Sequence, residues 1–370
     1  MGFHVPPGSL DNLTAALTNG ATDQLVEIAY LGDSTGYGSG PDLAGGPPRK
    51  LRSLLLGAGL ADGGMGSVRM HDDTSVATTY SDGGKVYGWP PNGMAMSMTA
   101  GETYTATGSG TAIRVVGWNL RYQTYRIDGA AAQAFTSTAS GIDYAYFPGL
   151  SAGPHTIEVS VATGGGGGVG VTVEFLNAAG VVVHQDSVSG GTSVNYSAYI
   201  ESKNAGPLGN NGLQYGLGKA ITAAGFTDWR SAKAASPAAR NVKAAIFALG
   251  LNDMSGITSD TTADSDGALV ATRLQENASL FIRMCRATGV DPIIVVPHFE
   301  SDSRGWRFAG RGRASLVSAA EAHGAAWCSL DDALRVKGIA QQDNPHLSQV
   351  SYDAEAEFLF DNVLSLALPA

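Results

Sequence analysis

Charge is scarce in this chain: Asp, Glu, Lys and Arg make up 15% of its 370 residues, against roughly 25% in an average globular protein. What charge there is leans acidic, with 33 Asp and Glu against 23 Lys and Arg and a formal net of -10. No Lys or Arg cluster stands along the chain that would track a phosphate backbone, so nucleic acid is excluded as an expected partner. Cysteine is nearly absent. Cys285 and Cys328 each sit in an apolar context and read as two buried or neighbouring thiols, because one possible pair does not make a disulfide framework. No run of about 18 apolar residues occurs, so no membrane-spanning helix is expected. The opening Met1-Gly2-Phe3-His4-Val5-Pro6-Pro7 lacks the basic segment and apolar core of a secretory leader. An extracellular or virion-associated location is the expectation, with the compartment left open. Glycine, by contrast, is abundant at 50 residues, about twice the usual share, which suits short strands and tight turns.

The length favours one large domain with an insertion, or two domains. Residues 10–25 have helical spacing, 26–31 form a short apolar run, and a Gly-rich turn leads to an amphipathic stretch, 49–56, stopped by Gly57. Strand, turn and helix in that order open an α/β layer fold. From about 70 to 204 Thr, Val, Tyr and Gly rise and helical periodicity disappears. Strands are predicted at 95–98, 103–106, 112–117, 124–127, 156–161, 169–175 and 181–187, with turns at Asp128-Gly129 and Asn177-Ala178-Ala179-Gly180. This segment reads as an all-β sandwich inserted into the α/β unit. Beyond it helices (214–224, 268–288, 314–323, 354–368) alternate with strands (242–249, 291–297, 325–330). Such alternation predicts a parallel sheet with its ligand site beyond the strand C-termini.

Three polar clusters fall at those ends. In Ile28-Ala29-Tyr30-Leu31-Gly32-Asp33-Ser34-Thr35-Gly36 an apolar strand ends on a small-residue turn that presents one hydroxyl. Ser34 is therefore a candidate nucleophile, and a serine nucleophile requires a base, a group to orient the base, and oxyanion donors. In Gly250-Leu251-Asn252-Asp253 the Asn252 amide at a strand end is suited to hold an oxyanion; a helix cap or turn is the competing reading. In Asp343-Asn344-Pro345-His346-Leu347-Ser348 an Asp three residues before a His can accept the ring N–H and leave the other nitrogen facing a nucleophile.

Together and in this order, the three clusters resemble the SGNH (GDSL-type) hydrolases, a family of α/β esterases and lipases. The resemblance covers roughly residues 24–69 and 205–370. It implies a three-layer, flavodoxin-like parallel fold, with Ser34 as nucleophile, His346 as general base and Asp343 as the acid that orients it. The oxyanion donors it implies are the Ser34 backbone N–H, the Asn252 side chain and a glycine N–H from Asn210-Asn211-Gly212-Leu213-Gln214-Tyr215-Gly216. That glycine is Gly212, with Gly209 as rival. Ser351 departs from the family pattern, where Gly is frequent, and concerns only the entry to the last helix.

The domains expected on this basis are 1–69 with 205–370 as the hydrolase and 70–204 as a jelly-roll-like insert. Tyr125-Arg126-Ile127-Asp128-Gly129 and the strand at 149–159 look like paired strands of modules that accompany carbohydrate-active enzymes. Trp89, Trp118, Tyr122 and Tyr125 offer sugar-stacking faces, or fill the sandwich core. Asp33 and His298, each at a strand end, are candidate substrate contacts, with a structural role as the alternative for both. His71, His155, His184 and His323 have no ligand spacing, so neither a metal nor another cofactor is expected. The expected activity is removal of short acyl groups, most simply acetyl, from a glycan by a serine esterase. A lipase or thioesterase using the same triad, and a non-catalytic glycan-binding adhesin or phage tail component, are the rivals.

Overall fold

The computed structural model describes residues 2–20, 23–33, 46–67, 77–80, 85–86, 96–98, 100–118, 120–137, 142–162, 169–187, 193, 240–255, 264–298, 306–336 and 348–369. Its strands, in chain order, are β1 (Phe3–His4), β2 (Leu25–Gly32), β3 (Gly64–Ser67), β4 (Ala77–Tyr80), β5 (Lys85–Val86), β6 (Met96–Met98), β7 (Thr103–Trp118) and β8 (Gln123–Ile127). They continue with β9 (Gln133–Ala134), β10 (Ile142–Val161), β11 (Val169–Leu176), β12 (Gly180–Ser187), β13 (Val242–Ala248), β14 (Asp291–Val296) and β15 (Ala326–Ser329). The α-helices are α1 (Asp11–Gly20), α2 (Pro47–Gly57), α3 (Leu251–Ser255), α4 (Asp264–Ala287), α5 (Trp306–Ala322), α6 (Leu330–Val336) and α7 (Gln349–Asn362).

Six strands form the main sheet in the order β1-β15-β14-β13-β2-β12. All neighbours are parallel except the short edge strand β1, which runs antiparallel to β15. The apolar runs of β2, β13 and β14 need cover on both faces, and receive it. Ala29, Leu31, Phe247, Ile294 and Val296 pack against Leu274, Phe281 and Cys285 of α4 and Leu316 of α5. The alternate residues Ile28, Tyr30, Ile246, Val295 and Cys328 pack against Leu13 of α1, Leu51 of α2 and Leu359 of α7. The two cysteines are therefore buried on opposite faces of the sheet. Among the described residues no helix is long and apolar enough to cross a membrane.

Nine further strands form a second, antiparallel sheet in the order β5-β6-β11-β7-β10-β8-β9, with β3 on β11 and β4 on β7. Strands predicted separately at 103–106 and 112–117 are the two halves of β7, a single strand of 16 residues. The stretch Gly108-Ser109-Gly110 between them looks like a break in sequence. It is instead a close crossing: a Cβ on Gly108 would meet the Phe175 ring at 2.4 Å and one on Gly110 the Leu176 carbonyl oxygen at 2.4 Å, so only glycine fits.

The strand predicted at 181–187 as the last of the β segment lies elsewhere. It is β12, which pairs in parallel with β2 from Gly180↔Leu25 to Ser187↔Gly32 and is buried along its whole length. The tight turn before it suggested a hairpin. Its unbroken Val181-Val182-Val183 run is the mark of a strand covered on both faces. The strand β3, ahead of residue 70, joins the second sheet. The helix predicted at 214–224 lies outside the described residues.

Candidate active site

Register aligns the strand ends on which the candidate residues depend. Gly32 of β2 lies opposite Ser187 of β12 and Ala248 of β13. Phe247 lies opposite Ile294 of β14, and Val296 opposite Ser329 of β15. Asp33, Asn252 and His298 thus follow three strand C-termini on one edge of the sheet. Ser34, Gly209, Gly212, Asp343 and His346 lie outside the described residues; Ser34 is the residue after Asp33, and His346 stands two residues before Ser348, the N-cap of α7.

Asp33 is fully buried. After Ala248 the chain turns at Gly250, whose φ of 127° is a value that side-chain-bearing residues rarely adopt. Asn252 then falls in the first turn of α3, half-buried. Asp253 reaches beyond its own loop: its Oδ2 accepts the Ser193 backbone N–H at 2.8 Å, and its Oδ1 accepts the Ser193 hydroxyl. Asn277 of α4 donates to that same hydroxyl at 2.9 Å. Burial pushes the Asp253 carboxyl up, and the Ser193 bonds pull against it.

His298 is completely buried, with its Nδ1 3.3 Å from Oε1 of Glu355 on α7. Burial raises the Glu355 carboxyl, with His298 opposing. Tyr30 of β2 lies close by; burial raises its hydroxyl, and the charges of Glu355 and Asp33 raise it further. Glu355 escaped the sequence reading, yet its signal was present. Tyr352, Glu355, Ala356 and Leu359 share one helical stripe, and a carboxylate interrupts it. Ser351, the departure from the family pattern, serves the helix entry: its N–H donates to Ser348 Oγ at 3.4 Å and the two hydroxyls are 3.1 Å apart.

A second buried polar group lies between the two sheets. Glu27 of β2 binds Arg114 of β7 through both oxygens, at 2.8 and 3.0 Å, and His184 of β12 at 2.5 Å. Arg114 also reaches Glu174 of β11 at 2.9 Å, and Arg240 joins Glu174 to Asp186 of β12 at 2.5 and 2.6 Å. Glu27, Glu174 and His184 bring one ligand atom each within 4.8 Å of one another, a grouping that histidine spacing did not reveal. The two guanidinium groups occupy the carboxylate oxygens a cation would need, so the chemistry of the cluster is that of an ion-pair network. Burial would raise the Glu27 carboxyl, but Arg114 and His184 outweigh it and hold it well below its ordinary range.

Of the four candidate sugar-stacking aromatics, Tyr125 packs on Phe135 and Phe147 with ring centroids 4.8 and 4.5 Å apart, and Arg121 covers Tyr122 at 4.5 Å. Trp89 and the Trp118 side chain lie outside the described residues.

The sequence matches no family model and no curated protein. Among solved structures, a peptidoglycan O-acetylesterase is 16% identical, with 96% of each chain covered and a TM-score of 0.63. A carbohydrate acetylesterase from Sinorhizobium meliloti is 14% identical over 50% of this chain and 79% of that one, with a TM-score of 0.32. A family two carbohydrate esterase from Cellvibrio japonicus is 11% identical over 79% and 98%, with a TM-score of 0.26. Of these three, the peptidoglycan O-acetylesterase alone superposes well enough to establish a shared fold, and the fold is what is shared.

Proposed function

We propose that this protein is a serine esterase of the SGNH type that removes short acyl groups, most simply acetyl, from a glycan. The observation that carries the reading is the common sheet edge: the strand ends that precede Ser34 and Asn252 lie opposite each other, as a nucleophile and its oxyanion donor require. The fold shared with a peptidoglycan O-acetylesterase along 96% of the chain supports it, and points to peptidoglycan O-acetyl groups as the first glycan ester to try. Ser34 attacks the ester carbonyl as His346, oriented by Asp343, takes its proton. The Ser34 and Gly212 N–H groups and the Asn252 amide hold the oxyanion, which collapses as His346 passes its proton to the departing glycan hydroxyl. Water, deprotonated by His346, then attacks the acyl-serine, and the carboxylic acid leaves as Ser34 regains its proton.

In this reading residues 1–69 and 205–370 carry the chemistry, with β12 of the intervening segment completing their sheet. The second sheet is a jelly-roll-like unit that guides the polymer to them. Hydrolysis of p-nitrophenyl acetate is expected to fall by at least about a thousandfold in Ser34→Ala, with the thermal unfolding curve unchanged. Equal rates in the two proteins reject the assignment. In an acyl-chain series the rate peaks at two carbons; a peak at eight or more makes the protein a lipase or thioesterase. Failure of a fluorophosphonate to label Ser34 at neutral pH favours a glycan-binding adhesin.

A further inference from the structure

The esterase reading, on which this inference rests, leaves one buried pair without a task. His298 lies two residues beyond β14 and Glu355 on the sheet-facing side of α7; the exposures are 0% and 1%. Polar groups of three other parts of the chain lie around Glu355. His298 faces it from just beyond β14, Tyr30 from β2 and Cys328 from β15. A carboxyl group in such a place is costly, and an apolar residue of similar volume would be as stable or more so. Packing therefore does not account for it.

Its position does. His346 stands two residues before the N-cap of α7, a reach of at most about 7 Å of chain. The placement of α7 against the sheet edge consequently limits where the chain can carry His346 in the esterase reading. The His298–Glu355 ion pair ties α7 to the residues just beyond β14. At 3.3 Å it is longer than an optimal charge-assisted bond of about 2.7–2.9 Å.

We propose that Glu355 is a positioning residue, held by His298, that fixes α7, the helix that Asp343 and His346 precede in the chain, against the strand ends of the main sheet. His298 then acts through Glu355 and not by touching substrate. A displacement of about 1 Å at a reacting group costs on the order of a hundredfold in rate, which sets the scale of the expected effect.

The test uses the full chain, with active sites counted by fluorophosphonate titration. Glu355→Ala is expected to lower kcat for p-nitrophenyl acetate by about 10–100-fold per labelled site, with KM within about twofold of wild type, as a positioning defect requires. Glu355→Gln, which keeps an oxygen for the His298 N–H, is expected to recover kcat to within about threefold. Glu355→Leu fills the space of the carboxyl and serves if the alanine variant does not fold; it too loses kcat. The proposal is overturned if kcat per labelled site ignores all three substitutions, if KM alone changes, or if Gln is as impaired as Leu. A wild-type protein that neither labels nor hydrolyses removes the esterase reading and this inference with it. A wild type that labels normally while its kcat ignores Glu355 removes this inference alone.

Discussion

Two of the buried polar groups among the described residues differ in how completely their carboxylates are matched. Between the sheets, all four oxygens of Glu27 and Glu174 are engaged at 2.5–3.0 Å by Arg114, Arg240, His184 and the Asn241 N–H. At the sheet edge, Glu355 meets His298 at 3.3 Å. Matched charges brace. The inter-sheet network joins β2, the strand that leads to Ser34, to β7 and β11 of the second sheet, so that sheet is a fixed wall of the molecule and not a tethered module. A buried carboxyl that meets its partner only at 3.3 Å, near the end of a strand, is a candidate for a role beyond bracing. Burial and charge alone therefore do not tell a bracing cluster from one with another role.

The comparison breaks most visibly at Arg114. Arg114→Met strands Glu27 and Glu174 beside each other and is expected to cost about 3–5 kcal/mol, a fall in melting temperature on the order of 10 °C, with kcat per labelled site unchanged. Thermal unfolding and titrated kinetics check both halves; a stable variant with low kcat would put the chemistry in the wrong cluster.

Acid separates the two groups by sign. Glu27 is held below its ordinary value of 4.5, so its contribution is present above pH 4.5 and is lost as pH falls through its folded-state pKa. Glu355 is raised above 4.5. The folded state then favours its protonated form, and stability is lost as pH rises through the folded-state pKa. Glu355→Gln is therefore expected to melt a few degrees above wild type at pH 8 and close to it at pH 4.5, while the acid-induced loss below pH 4.5 persists. Melting curves across pH 3.5–8 decide this, and an advantage that shrinks with rising pH would contradict the assignment.

The smallest effect belongs to the entry of α7. Ser351→Gly removes a hydroxyl paired with the N-cap and loosens the first turn, at about 0.5–1 kcal/mol. A melting-temperature change beyond a few degrees would mean that Ser351 does more than shape the cap.

Much of the architecture could be read in advance, because its signals are local. The apolar runs at 26–31, 242–249 and 291–297 predict β2, β13 and β14, and Gly57 marks the end of α2. Spacing also placed Asp33, Asn252 and His298 at strand ends on one edge of a parallel sheet. The misreadings share a cause. Gly108-Ser109-Gly110 resembles a turn until the Phe175 ring is seen to press on it, and Val181–Ser187 resembles a hairpin partner until β2 claims it.

Sequence by itself determined which residue types stand at which element ends: a serine after one strand, an asparagine after another, an aspartate and a histidine before the last helix. Propensity, periodicity and turn chemistry act over a few residues and are written there. Tertiary structure alone decided that β12 crosses into the main sheet, that Arg114 and Glu27, 87 residues apart, meet at 2.8 Å, and that Glu355 faces His298. Such pairings follow from which faces pack together, and that is settled by burying apolar surface along the whole chain at once.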